Sequence, residues 1–335
     1  MMLVVMKCGG TWEMLADIFR VKTPTFIKTI VGFLEIVAPK MYDAWVASHA
    51  DEQKMRSLVT SGHTFTHYPC ALYATDVTFQ QSNRPSGSIA EAMPWYSAKH
   101  KLYGYKVEVS VNPRGLAINC TRHSRGNTAD ITMFRENQAF HLSARHKGEG
   151  ELRLVDDGPL LEMYPDEWAV LADKGYQGLA DHVRCIHPKK GNNLTPDEAT
   201  MNDNISSDRV IVENYFGRLC NLWRICAEKF RWSEKLYDDV FHVCASLTNY
   251  HITLHPLREE SGDIYRQQCN RLIAIGNEIN TKRRMRQERY RRNKRLRHTM
   301  NLNDNLGDDT FNDLDDEEGF DDDDDDDSVV TQMSF

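Results

Sequence analysis

The sequence has no apolar stretch approaching the roughly 20 residues of a membrane-spanning helix. Its most apolar segments, such as Val31 to Ala38, are far shorter, so a helical membrane span is excluded. It also has no C-x-x-C pair. The eight cysteines are scattered along the chain, a usage that reads as reduced thiols in an intracellular protein rather than as a disulfide framework. His63 and His67 have the spacing of a metal pair, but no second pair stands near them, and a structural zinc is not expected. Met1 to Met6 is apolar but is ended by Lys7, too short for a secretory leader. There is no G-x-G-x-x-G after a strand and no Walker A lysine loop, which removes support for a nucleotide cofactor.

Lysine and arginine are missing altogether from residues 301–335, which hold fifteen acids, among them the run Asp321 to Asp327. The overall charge of −8 therefore describes no part of the molecule. Residues 282–297 contain ten Lys or Arg and one acid, Glu288, while residues 1–281 are close to neutral, with 31 basic and 33 acidic side chains. A near-neutral body followed by a basic and then an acidic block points to a polyanionic partner. A hydrophobic content of 41 % is enough for one sizeable core and a smaller module.

Thr11 to Phe19 places Trp12, Leu15, Ala16 and Phe19 on one helical stripe. Thr23 as cap and Pro24 as first residue then open a second helix whose apolar face is Phe26, Ile27, Ile30, Phe33, Leu34 and Val37. The pair has the outline of a helix-turn-helix, and equally of any helical hairpin, with few bases nearby (Arg20, Lys22, Lys28). From residue 71 the periodicity changes. Ala71 to Phe79, Tyr103 to Val111 and Gly115 to Thr121 are rich in β-branched and aromatic residues, and Asn112-Pro113-Arg114 joins the last two as a turn. A helix is predicted over Thr128 to Phe140, short strands over Trp168 to Ala172 and His182 to Ile186, and a polar loop over Lys189 to Asn204. Ser206 or Ser207 is the expected cap of a long helix with Val212, Phe216, Leu219 and Trp223 in one row, and Leu236 to Ile252 continues as another. Trp223, Phe230 and Trp232 read as core. This order describes a mixed α/β sheet rather than a parallel nucleotide-binding fold.

Three carboxylates occupy places where such a sheet could bring them together. Asp76 interrupts the first strand, Asp173 follows Val170-Leu171-Ala172 with Gly175 allowing a sharp turn after it, and Glu213 lies in the long helix. Singly, an Asp at a strand end is more often a turn or cap residue than a ligand. Converging, three acids repel one another unless hard divalent cations fill the gap, as in Mg²⁺ or Mn²⁺ sites for phosphoryl transfer. Arg209 is either an i, i+4 partner of Glu213 or a contact to DNA phosphate. Asp130 reads as the residue that starts a helix after Gly126-Asn127-Thr128.

These residues also carry a resemblance. Ala172-Asp173-Lys174-Gly175-Tyr176, Arg209-x-x-Val212-Glu213-x-x-Phe216-Gly217 and Ala245-Ser246-Leu247-x-Asn249 resemble the signature of DDE transposases of the PIF/Harbinger group and their bacterial insertion-sequence relatives. Asp76, in Ala74-Thr75-Asp76, matches the first acid of that family. Tyr96 to Lys101 with Lys106, and Gly126 to Asp130, resemble the segments between the first and second acids, although Ala129 stands where relatives often have His. The resemblance spans about residues 70–255. It implies an RNase H-like mixed sheet with flanking helices, a DDE catalytic domain over 61–255, and Asp76, Asp173 and Glu213 as catalytic residues holding two Mg²⁺ (or Mn²⁺) ions. It further implies cleavage of transposon terminal inverted repeats, strand transfer into target DNA, and a Myb-like accessory protein. Coordinated cutting of two ends calls for at least a homodimer. The alternatives are a domesticated nuclear DNA-binding protein and a general metal-dependent nuclease. The remainder divides into a small helical N-terminal module over 1–60, a basic helical arm over 256–300 and a disordered acidic tail over 301–335.

Lys99, Lys101, Lys106 and Lys174 are candidate backbone contacts to DNA, though exposed lysines on a hairpin are ordinarily just solvated. The basic block, with Arg283, Arg284, Arg291, Arg292, Lys294 and Arg295, suits nuclear import and non-specific phosphate binding. The acidic tail is expected to compete with DNA for that block. Removing residues 301–335 should then raise non-specific DNA affinity and steepen its dependence on salt; an unchanged salt slope in binding titrations would refute the competition.

Overall fold

The computed structural model describes residues 1–52, 54–191, 194–257, 275–276 and 278–294. Strands form where β-branched and aromatic residues cluster: β1 (Ala71–Gln81), β2 (Tyr96–Ser97), β3 (Leu102–Val111), β4 (Ala117–Cys120), β5 (Ser124–Arg125), β6 (Ala169–Leu171) and β7 (Cys185–Ile186). They make one sheet in the order β2-β3-β1-β6-β7, with β4 and β5 also pairing along β3. β1 is antiparallel to β3 and parallel to β6, which is parallel to β7. The sheet is therefore mixed, as the element order implied.

The α-helices are α1 (Met2–Cys8), α2 (Trp12–Ile18), α3 (Thr23–Tyr42), α4 (Ser48–Glu52), α5 (Met55–Ser61), α6 (Ile89–Ala92), α7 (Asp130–Glu136), α8 (Gln138–Arg145), α9 (Pro196–Leu222), α10 (Arg224–Ala227) and α11 (Tyr237–Leu254). One face of the sheet gives Ala74, Val107, Val109 and Val111 to a core shared with Val212, Tyr215 and Leu219 of α9 and Val240, Phe241 and Val243 of α11. Leu15, Phe26, Ile30 and Leu34 of α2 and α3 join the same cluster. The opposite face buries Leu72, Tyr73 and Val170 against Phe134 of α7, Ala144 of α8 and Met55 and Leu58 of α5. Both faces of β1 are thus covered, which is why its first five residues are buried without alternation. Phe230 and Trp232 are core, as expected, and Trp223 packs on the same cluster.

Several boundaries differ from the sequence reading for identifiable reasons. The polar loop ends at Thr195, not Asn204. Thr195 and Glu198 form a capping box with Pro196 at the first turn, so α9 begins some ten residues before Ser206 and runs 27 residues, roughly 40 Å. The helix expected over Thr128 to Phe140 is two, broken at Asn137, whose side chain bonds Glu108 and Asn119. At α3 the cap is Lys22, with Thr23 already helical. Phe33, expected on the apolar face, is 49 % exposed, because the buried stripe follows Phe26, Ile30, Leu34 and Ala38.

The chain divides into two units, Met1–Leu257 and Arg258–Phe335. In the second, residues 278–294 are helical and exposed on every face, with i, i+4 pairs Glu278–Lys282 and Arg284–Glu288. Among the described residues no helix is long and apolar enough to cross a membrane, and the described cysteines are free.

The last residue of the Ala245 to Asn249 motif is structural. Asn249, fully buried on α11, accepts from Ala117 N at 2.9 Å and donates to Ala117 O at 2.7 Å and Trp45 O at 2.6 Å. It ties α11 to β4 and to the segment after α3. Asn249→Ala leaves two buried carbonyls and one N–H without partners and is expected to cost about 3 kcal/mol in urea unfolding, with an unchanged slope; a loss under about 0.5 kcal/mol would show that this tie is dispensable.

Candidate active site

The parallel pairing of β1 with β6 ends at Ala74 and Leu171. Asp76 and Asp173 each lie two residues further on, so the register sets them side by side where β6 leaves the sheet. A crevice at the carboxyl ends of parallel strands is the usual ligand site of an open α/β sheet. Asp76 is still paired to β3, opposite Val109, and its Oδ1 accepts from Val77 N at 2.8 Å. Its side chain is 22 % exposed and that of Asp173 is 42 % exposed. The third acid, Glu213, comes from α9, which crosses this edge.

Arg209 lies between the two aspartates. One turn before Glu213 on α9, its guanidinium donates from Nη2 to Asp76 Oδ2 and from Nη1 to Asp173 Oδ1, both at 3.2 Å. The side chain is 5 % exposed, and its Nε is buried without a hydrogen-bond partner. It is turned inward, and its hydrogen bonds go to acids on two other elements instead of to Glu213, the partner its helical spacing suggested. Among the described residues no three metal-ligating side chains form a ready-made cluster.

The acids feel one another electrostatically. Burial pushes Asp76 up to about 6; Arg209 and the Val77 N–H oppose this, while the charges of Asp173 and Glu213 add to it. Glu213 is also raised, first by burial, with Arg209 opposing and Asp173 adding. Three carboxylates from β1, the end of β6 and α9 thus share one electrostatic environment.

Beneath the sheet, on the α7 and α8 side, lies a polar network that the sequence reading missed. Glu108, fully buried on β3, bonds His141 Nε2 at 2.9 Å and accepts from Asn137 Nδ2 at 3.0 Å; Tyr73 OH meets His141 Nδ1 at 2.8 Å. Phe134 stacks on the imidazole at 3.6 Å. Burial lowers the His141 pKa, with Glu108 opposing. Tyr176, in the turn after Asp173, points its hydroxyl to the other Glu108 oxygen at 3.5 Å, so the turn carrying Asp173 rests on this layer. The available signal was Glu108 itself, a charge between valines in a strand too apolar to be an edge.

Lys106 is engaged in the same layer. Only 12 % exposed, it donates to Asp130 Oδ1 at 2.9 Å and Thr128 O at 2.8 Å, an internal tie. Asp130 does start α7. Gly175 has no unusual φ, and a Cβ there would make a tight contact, 3.1 Å, with Asp130 Oδ2. Gly126 has a stronger reason, as a Cβ would meet Trp95 O at 2.3 Å. Lys99, Lys101 and Lys174 are exposed, as are Arg283, Arg284, Arg291, Arg292 and Lys294 on the helix over 278–294. Arg295 lies outside the described residues.

Residues 74–249, more than half of the chain, match the family described as DDE superfamily endonuclease. The chain belongs to that family. The match opens two residues before Asp76, contains Asp173 and Glu213, and closes on Asn249. The chain accordingly carries a transposase-type nuclease domain, a class that acts on DNA and generally uses divalent metal ions. Comparison with curated proteins and with solved structures finds no match.

The raised pKa of Asp76 has a consequence for stability. Its folded value, about 6, lies above the roughly 3.9 of an unfolded Asp. Folding therefore takes up a proton between about pH 4 and 6, and the cost of burying the charge is complete above about 6 and relieved toward 4. Asp76→Asn should stabilise the metal-free protein at pH 7 by about 1–3 kcal/mol and flatten stability against pH over this window. Urea unfolding at several pH values checks this; a variant no more stable than wild type at pH 7 would contradict it.

Proposed function

We propose that the chain is a PIF/Harbinger-like DNA transposase that cuts transposon ends and transfers them to target DNA, with Asp76, Asp173 and Glu213 as the catalytic acids. The observation that supports this most is the joint placement of the three carboxylates, two side by side at the end of parallel pairing and one on the crossing helix, inside the family match. The donor set suits hard cations, being all carboxylate oxygen with neither Cys nor His among the three. Asp76 and Asp173 would hold Mg²⁺ or Mn²⁺ between them, and Glu213 a second ion. Bound there, the ions would activate water or a 3′-hydroxyl and stabilise the oxygen that leaves the phosphodiester.

The chain's own part is to fix the acids and present DNA to them. β1 and β6 set the spacing of Asp76 and Asp173 through hydrogen-bonded register, and the Lys174–Tyr176 turn holds the second of them over the Glu108 layer. Lys174, exposed beside Asp173, is the basic side chain best placed to meet a phosphate at the site, with Lys99 and Lys101 on the β2–β3 turn further out. The exposed bases of residues 278–294 would add non-specific affinity and direct the protein to the nucleus. The catalytic domain would occupy residues 61–255, work as a homo-oligomer on two ends and draw on a Myb-like accessory protein.

Mg²⁺-dependent cleavage of a DNA bearing the terminal inverted repeats tests the proposal. Wild type should cut, and Asp173→Asn should lower the rate by roughly three orders of magnitude or more. Cleavage that survives the substitution would reject the assigned acids. Binding with no cleavage under any divalent ion would reject transposition in favour of a domesticated DNA-binding role.

A further inference from the structure

The position of Arg209 asks more of this site than three acids and their ions. Its guanidinium spans Asp76 and Asp173, the two side chains that the proposed function assigns to the same ion, and the inference here rests on that assignment. An ion bridging the pair needs an oxygen of each within about 2.1 Å of one point. The guanidinium holds its two acceptors at 3.2 Å from separate nitrogens, so the carboxylates are spread across the edge of a planar group. The guanidinium and a bridging ion cannot occupy that gap together.

The bound arginine is also incompletely satisfied. Guanidinium carries five N–H donors, yet the Nε of Arg209 is buried with no partner. An orphaned buried donor carries an uncompensated desolvation cost, which weakens the hold of the acids on this side chain. The open flank of the site is at Asp173, whose side chain is 42 % exposed against 5 % for Arg209, so that is the side on which a displaced guanidinium would reach water. Charge points the same way. Three carboxylates and one guanidinium leave a net charge near −2, so the arginine blunts their repulsion without cancelling their attraction for a divalent ion.

We propose that Arg209 is a built-in competitor of the divalent ion: it neutralises the Asp76–Asp173 pair in the metal-free protein and must swing out for the ion to enter, so it sets how weakly the site loads. Each ion bound is then an exchange of one cation for another, and the affinity measured is the difference between the two.

Titration of the full chain with Mn²⁺ by calorimetry, at fixed pH and salt, tests this without any assay of cleavage. Arg209→Met removes the competing charge and keeps an apolar stem of similar reach. It should bind Mn²⁺ about tenfold more tightly or better than wild type, melt lower than wild type without metal, and gain more in melting temperature from Mn²⁺. Arg209→Lys, still cationic but without the fork, should fall between. Equal or weaker Mn²⁺ binding by Arg209→Met, with wild-type binding that is lost in Asp173→Asn, overturns the inference and leaves the acid assignment standing. Mn²⁺ binding indifferent to Asp173→Asn in either background overturns the assignment, and the inference with it. Should Arg209→Met not fold, the wild-type chain labelled with ¹⁵N-arginine still decides. Mg²⁺ must move one protected side-chain Nε–H signal into exchange with solvent, and a spectrum in which none moves refutes displacement.

Discussion

Two successive buried charges on α9 hold the architecture in place. Asp208, 1 % exposed, accepts from the backbone N–H groups of Thr66, His67 and Tyr68 at 3.2, 2.9 and 2.9 Å. These residues lead directly into β1. Arg209, the next residue, reaches the acids on β1 and after β6. A buried carboxylate is tolerable when charge-assisted hydrogen bonds replace its water, and three backbone donors do that here. The helix is thereby fastened to the strand at its entry and again at Asp76. The apolar row of Val212, Tyr215 and Leu219 adds energy to this contact, but an apolar face alone can slide; directed bonds to particular atoms cannot.

The sheet then separates two kinds of chemistry. On the α9 face the acids stand at a solvent-reached edge, with burial and mutual repulsion pushing two of them toward the neutral form. On the α7 and α8 face, Glu108, His141, Asn137 and Tyr73 satisfy one another out of water. The first arrangement is unstable by itself and costs folding energy. The second is closed, and its contact with the site is Tyr176, which sits in the same short turn as Asp173. A hydrogen-bonded layer beneath the acids is how a fold supports like charges held close together.

Much of this was legible in the sequence, and the exceptions share a cause. β1 and β3 declared themselves by composition, and their ends were right to within a residue or two because both are long and continuous. Asp76 and Asp173 stand out because a charge within a strand, or directly after a short apolar one, is local information. The start of α9 is local information as well: Thr195-Pro196-Asp197-Glu198 is a capping box, masked by the polar residues around it. Other features were beyond any window of sequence. The direction of Lys106 depends on Asp130 and Thr128, more than twenty residues away. The break at Asn137 depends on Glu108. For Arg209, helical spacing makes only a pair with Glu213, four residues along, visible in the sequence; its hydrogen-bond partners lie 133 and 36 residues away. Helical periodicity states which residues share a face, and only the tertiary fold states what that face meets.

The spacing of Arg209 and Glu213 gains its sense from this. Four residues on a helix are about 6 Å of rise and a little more than one turn, so both side chains leave α9 on one face and address the same end of β1 and β6. A single helix supplies the cation that separates two acids and the acid that completes the set. A shift of α9 by one residue would move both by about 1.5 Å and rotate both by roughly 100°, taking them off the site together. Helix register is therefore the variable on which site geometry turns, and Asp208 fixes it, one residue before Arg209, through donors on the segment that delivers β1. The acids lie far apart in the chain, but their relation reduces to two constraints: the strand register that ends at Ala74 and Leu171, and the helix register that is set at Asp208.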